Sequence, residues 1–345
     1  MNQDDDMNHG QTLESWVINK CDQWRDHYES NYAEVHDEYY RIWRGIWDRS
    51  DTMRDSERSR LISPATQQAV ESSVAEIEEA TFGRGKFFDI KDDLQDPNPQ
   101  DIGFLRNQLD EDMHFAKTRS SVAECLINAA VFGTGIGELV LEEVTELRPA
   151  SQPAPEMDMM AIGVMKQERF LVKLDPIMPQ NFLIDPLATN IEDALGVAID
   201  KMVPYHQVKQ GIDSGIYLDV DVEKDVYDPE LEDASKITTL FTDDMVRLTK
   251  YYGLVPTHLL SNVSEDDEVE DIIPVDKDQS YTEVIMVIAN GSTILKIENN
   301  PYMKKDRPVV AFSWDLVPFK FWGRGICEKA YNSQKALDTE LRARI

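Results

Sequence analysis

The hydrophobic period of this chain changes from helical to strand-like at Gly133-Thr-Gly-Ile-Gly137, and that change constrains the fold more than any other feature. Before it, apolar residues recur at three- and four-residue steps; after it, they alternate or form short runs bounded by turn residues. Helices first and strands afterwards cannot build alternating βαβ units. The expected class is therefore α+β, with N-terminal long helices, a mainly antiparallel sheet region and a C-terminal helix. The same order decides what the glycines do. A dinucleotide fingerprint needs a strand before the glycines and a helix after them, so that the pyrophosphate meets a helix N-terminus. Here the order is reversed, and left-handed capping of a helix end is expected instead.

The expected organisation is a disordered acidic N-terminus over 1–11, a helical region over 12–135, a mainly β region with acidic loops over 136–320, and over 321–345 a glycine turn opening a long, incomplete helix. From Thr12 to about Asp48 a helix or broken pair carries eight Trp and Tyr residues. Helical spacing and interleaved acids mark them as core packing rather than a platform for stacking bases. Ser63-Pro64 reads as an N-cap and first-turn Pro, with Ala69, Val70, Val74, Ile77 and Phe82 as the buried stripe. Phe87 to Ile90 is a candidate short strand, Asp96 to Pro99 a turn, and about Asp101 to Phe132 a third helix.

Strands are expected at Glu138–Thr145 and Ile162–Leu174, joined by the Pro-rich Arg148–Pro155, and at Ala194–Met202, Val246–Leu254 and Pro308–Trp314. Asn290-Gly291 between Thr282–Ala289 and Thr293–Glu298 gives the clearest hairpin, because that dipeptide supplies the positive φ values of a tight turn. Near the end, Gly323 and Gly325 free the backbone for a turn around Arg324. Ala330, Gln334, Leu337, Leu341 and Ile345 then follow on one helical face that nothing caps, so a partner surface or further chain is expected to cover it.

Composition narrows the function classes. At 345 residues with 41% hydrophobic and 29% charged, the chain can bury a sizeable core. Sixty-five acidic against 35 basic residues give a formal charge of −30, which repels phosphate and argues against holding nucleic acid by neutralising its backbone. The acidic block Glu265 to Asp271 lacks the fixed Gly of a helix-loop-helix calcium site and reads as a solvated loop. Cys21, Cys125 and Cys327 read as reduced structural thiols. With no apolar run of about 18 residues and an acidic start, the chain reads as soluble and made in the cytoplasm.

No catalytic, cofactor-binding or metal residues are expected. The histidines lack ligand spacing, and Asp175, Asp185, Asp193 and Asp200 include two Asp-Pro turn starters, Asp175 and Asp185. Trp322, Arg324 and Glu328 are the candidate contact residues toward a neighbouring subunit, since Trp and Arg are favoured at interface hot spots. The plainer reading pairs Arg324 with Glu328 locally.

Four segments, in this order and spacing, resemble the portal (head-to-tail connector) family of tailed bacteriophages, particularly the short-tailed type. They are Arg60-Leu-Ile-Ser-Pro-Ala-Thr-Gln-Gln-Ala69 through Ala80-Thr-Phe-Gly-Arg84; Asn128-Ala-Ala-Val-Phe-Gly-Thr-Gly-Ile-Gly137; Asp175-Pro with Asn181-Phe-Leu-Ile-Asp-Pro-Leu-Ala188; and Phe321-Trp-Gly-Arg-Gly-Ile-Cys-Glu328 leading to Gln334-Lys-Ala-Leu-Asp-Thr-Glu-Leu-Arg342. The resemblance implies a non-enzymatic ring, usually of twelve subunits, at one capsid vertex of the virion and made in the host cytoplasm. It implies as partners the terminase large subunit, tail adaptor and capsid proteins, and DNA passing through a channel without sequence-specific binding. This chain would supply mainly the wing; stem, clip and crown regions would come from further chain or a partner. Two other readings stay open: an acidic adaptor that binds a basic partner through Glu265 to Asp271, and a metal-dependent hydrolase built around Asp185.

Overall fold

In a computed structural model that describes residues 12–46, 61–83, 88–90, 99–153, 160–222, 245–263, 279–302 and 306–344, the fold is α+β. Residues 1–11, the acidic block Glu265 to Asp271 and Ile345 lie outside this set. The chain forms two compact units that cut across its linear order: Met1–Tyr39, Ile177–Arg307 and Leu316–Trp322 in the first, and Tyr40–Pro176, Pro308–Asp315 and Gly323–Ile345 in the second.

The first unit is a five-stranded antiparallel sheet with a helix on each face. Its strands, in spatial order, are β3 (Phe182–Ile184), β4 (Gly196–Pro204), β5 (Met245–Pro256), β6 (Tyr281–Ala289) and β7 (Thr293–Asn299). Helix α1 (Leu13–Tyr28) opens on Thr12, whose hydroxyl accepts from the Ser15 amide. It buries Leu13, Val17, Cys21 and Trp24 against Tyr251, Val255, Val284 and Met286 of the sheet. On the other face, α6 (Tyr205–Asp213) presents Val208 to Val246, Leu248, Val287 and Leu295. With both faces covered, β6 reads as a nearly unbroken apolar run instead of an alternation. The hairpin at Asn290-Gly291 forms as its sequence dictates, with φ of 49° and 68° at the two turn residues. A short helix, α7 (Thr257–Val263), follows β5.

The aromatic helix is one continuous run interrupted by a π-helical turn, Glu29–Ala33, before α2 (Glu34–Arg44). Of its aromatic residues Trp24 and Tyr28 are buried, with Trp24 stacked on Tyr251 at 6.1 Å between ring centroids; Trp16, Tyr32, Tyr39, Tyr40 and Trp43 are half-buried, and Trp47 lies outside the described residues.

The second unit holds β1 (Thr134–Pro153), β2 (Met160–Ile177) and β8 (Val309–Ser313) in the order β2-β1-β8. With it go α3 (Ala65–Phe82), α4 (Pro99–Phe115), α5 (Thr118–Phe132) and α8 (Ile326–Arg344). Helices α3, α5 and α8 pack against one another.

Several expectations are corrected here. The helix expected from Asp101 to Phe132 is two helices, because Lys117 adopts the left-handed conformation (φ 54°). Leu105, Leu109 and Phe115 of α4 are consequently exposed, while Leu126, Ala129 and Ala130 of α5 are buried. Ser63 does not cap α3, which starts after Pro64 without a local side-chain cap, and Ala69 and Ile77 face solvent. Residues 88–90 are not a strand. β1 and β2 run well past their expected ends, taking in Arg148 to Pro153 that read as loop. The strand expected over Pro308–Trp314 forms as β8, Val309–Ser313, and pairs antiparallel with β1 from Thr134↔Ser313 to Glu138↔Val309.

Candidate functional site

Two of the segments singled out by sequence, Asn128 to Gly137 and Phe321 to Glu328, meet at a backbone junction of the second unit. Gly133 ends α5 in the left-handed region, with φ of 101°. Its carbonyl accepts from the Trp314 amide at 2.8 Å, and the adjoining Thr134 hydroxyl accepts from the Gly323 amide at 2.9 Å. Asp315 and Arg324 exchange two backbone hydrogen bonds, 2.9 and 3.2 Å, which close the turn. The Asp315 carboxylate pairs with Lys329 in the first turn of α8.

The approach is closer than any side chain permits. A Cβ on Gly133 would stand 2.2 Å from the Gly323 carbonyl oxygen, and one on Gly325 would stand 2.6 Å from that of Ala130. Gly323 and Gly325 therefore serve close approach; neither adopts the positive φ expected of them. The glycines at Gly133 to Gly137 cap a helix and enter a strand, as their order requires.

A second joint lies where α8 meets the start of α3. The Gln334 side-chain carbonyl accepts from the Thr66 amide and hydroxyl at 3.2 and 2.9 Å, and its amide donates to the Ser63 carbonyl at 2.8 Å and to Asp338 at 2.9 Å. The Asp338 carboxylate accepts from the Ser63 amide at 2.8 Å. Helix α3 is thus capped by side chains some 270 positions away in sequence, and the carboxylate sits at the positive end of its dipole. The buried line of α8 runs through Cys327, Gln334 and Asp338, while Leu337 is exposed, so the apolar face read from the sequence is rotated toward these polar residues. Sequence reasoning placed Gln334 on the covered face but missed its capping role, and missed Asp338 altogether. The available signal was a polar i,i+4 pair interrupting an apolar stripe, facing a Ser-Pro helix start with no capping partner of its own.

The three candidate contact residues fall into different environments. Arg324 donates from Nε to Glu328 at 3.0 Å, and both side chains are substantially exposed. This is the local pairing of the plainer reading, and an exposed i,i+4 pair contributes at most about 0.5 kcal/mol. Arg324→Ala is therefore expected to leave the unfolding midpoint of the chain essentially unchanged, as measured by urea titration; any loss of assembly in that variant reports an intersubunit contact. Trp322 belongs to the first unit, where it is 8% exposed among Tyr28, Tyr32, His36 and Phe321, with centroids 5.2–5.7 Å away. It is spent on the chain's own core.

His36 in that cluster is buried, with Nδ1 2.9 Å from the Tyr28 hydroxyl. Burial pushes its pKa down to about 4. The folded value lies below the unfolded value of roughly 6.5, so its contribution is complete above that pH and is lost as pH falls toward 4, by about 3 kcal/mol in all. Urea unfolding between pH 7 and 4 is expected to show this slope, and His36→Gln to flatten it.

The carboxylates considered for a cation are engaged otherwise. Asp185 accepts from the Leu187 amide at 3.0 Å and so holds its own turn. Asp200 accepts from Arg25 and Arg247, both at 2.7 Å, and from the Thr249 hydroxyl at 2.7 Å. Burial alone would raise its pKa, but the two guanidinium groups outweigh that and hold it below the usual carboxylate value. Among the described residues no group of three or more His, Cys, Asp or Glu could hold a metal ion. Burial raises the thiol pKa to about 12, 11 and 12 at Cys21, Cys125 and Cys327, which keeps them protonated and unreactive at neutral pH. Among the described residues no helix is long and apolar enough to cross a membrane. No protein-family model matches the chain, and no curated protein matches it.

Proposed function

We propose that the chain is a structural subunit of a ring-forming assembly of the phage-portal kind, part of a virion vertex, and not an enzyme. The observation that carries this reading is the convergence of three of its four resembling segments; the fourth, Asn181 to Ala188, lies in the first unit and takes no part. Arg60 to Ala69, Asn128 to Gly137 and Phe321 to Arg342 lie far apart in sequence, yet supply the glycine junction and the Gln334–Asp338 cap. Their glycines and polar residues are used in packing and capping, as a load-transmitting subunit needs, with backbones pressed together where a nucleotide site would leave space.

The formal charge of −30 supports the same reading, because a wall that repels phosphate lets duplex DNA slide. Terminase, tail adaptor and capsid proteins would be its docking partners. Electron imaging of the negatively stained full gene product is the test: rings with a central channel are expected, and isolated monomers would overturn the proposal. The charge argument has its own test, since the assembled protein is expected not to retard duplex DNA in an electrophoretic assay even at low salt, where phosphate contacts are strongest.

A further inference from the structure

The three-stranded sheet of the second unit has one apolar face that α5 covers at one end only. A Cβ on Gly135 would meet the Cys125 carbonyl of α5 at 2.5 Å and the Phe312 ring, and one on Gly137 would meet the Leu174 side chain, which fixes the side from which these residues project and on which α5 lies. Alternation along each strand then puts Leu139 and Leu141 of β1, Phe170 and Val172 of β2, and Val310 and Phe312 of β8 on that same side. Their exposures run from 39% to 67%. Together they present on the order of 600 Å² of apolar surface, at the upper limit for a monomer's largest patch and most of the ~800 Å² that each partner gives to a standard interface.

The opposite face is served by a helix. Arg169 alternates with Phe170, so it projects the other way, and there its guanidinium pairs with Asp112 and lies 5.4 Å over the Phe115 ring, both in the last turn of α4. Farther along α4, Phe104, Leu105 and Leu109 are exposed at 68%, 53% and 41%. One unit thus carries two unlike apolar surfaces, the part of the sheet face beyond α5 and the exposed stripe of α4, which is anchored on the other side of that sheet. A sheet face is ordinarily covered by a helix. Like surfaces pairing about a two-fold axis would join sheet to sheet and leave each α4 uncovered. Unlike surfaces pairing head to tail satisfy both, and such contacts close into rings or extend as filaments.

We infer that the part of the β2-β1-β8 sheet face left open by α5 receives helix α4 of a second copy of this chain, giving a head-to-tail interface. This deepens the ring-forming reading and rests on it for closure. The test uses two variants of the full gene product. One carries Phe170→Glu and Val172→Glu on the sheet face, the other Phe104→Glu and Leu105→Glu on the helix. All four positions are exposed, so both variants are expected to keep the fold and far-ultraviolet circular dichroism of the unsubstituted chain.

In sedimentation velocity each variant alone is expected to be monomeric where the unsubstituted chain assembles. An equimolar mixture is expected to form a dimer that grows no further, because one partner keeps its helix and the other its sheet face. Rings that persist in either variant, or a mixture that stays monomeric, would overturn the inference while leaving a ring-forming subunit in place. A dimer in the mixture beside unsubstituted chains that form only open filaments would support the interface and overturn the closed ring.

Discussion

Replacing Gly133 with alanine is expected to destabilise the second unit by more than about 3 kcal/mol, the largest single effect of a methyl group in this molecule. Two costs add. At φ of 101° an L-residue is strained by about 1–2 kcal/mol. The new Cβ would also stand 2.2 Å from the Gly323 carbonyl oxygen, a backbone atom already fixed by the hydrogen bonds of the Asp315–Arg324 turn, so relief requires parting α5 from that turn. Gly291→Ala separates the two terms. That residue also has positive φ, 68°, but nothing lies within 4 Å of its would-be Cβ, so only the conformational cost of about 1 kcal/mol should appear. Urea midpoints of the two variants, measured side by side, check the difference. Equal shifts would show that the junction yields.

Removal of Arg307 is expected to cost about 3–5 kcal/mol, the range for breaking a buried ion pair from one side. Arg307 and Glu283 are 7% and 9% exposed; the guanidinium donates from Nε and Nη2 to the two carboxylate oxygens at 2.8 and 3.4 Å, and to the Ile191 and Leu195 carbonyls at 2.5 and 3.2 Å. Arg307→Met leaves a buried carboxylate and the Ile191 carbonyl without their donor, while the Leu195 carbonyl keeps the Leu254 amide at 2.9 Å. Adding Glu283→Leu removes the charge, and the double variant should recover most of the loss, less the part owed to the Ile191 carbonyl. Equilibrium unfolding of the single and double variants gives the partition, and a double variant no more stable than the single one would contradict it.

What the sequence made legible followed from local chemistry. The change of period at Gly133, the Asn290-Gly291 turn and the aromatic helix as core each follow from neighbouring residues, and the class α+β comes with them. The rest depends on partners far away in the chain. Nothing near Val309 says that its strand pairs with β1, about 170 residues earlier, since a short apolar strand fits several edges. Gln334 was legible as part of a face to be covered, but Asp338 was not, and nothing local says that the start of α3 covers both. Lys117 carries no Gly or Pro signal for the break at its position, where it adopts the left-handed conformation. Of the candidate contact residues, the local Arg324–Glu328 pairing was legible from its four-residue spacing, whereas the burial of Trp322 depends on Tyr28, Tyr32 and His36, nearly 300 positions earlier.

The most direct measurement of the central claim is the native mass of the full gene product. The account predicts one closed species whose mass is a fixed integer multiple of the subunit, near twelve if the portal resemblance carries through, unchanged on dilution. A mass equal to one subunit at every concentration would contradict it.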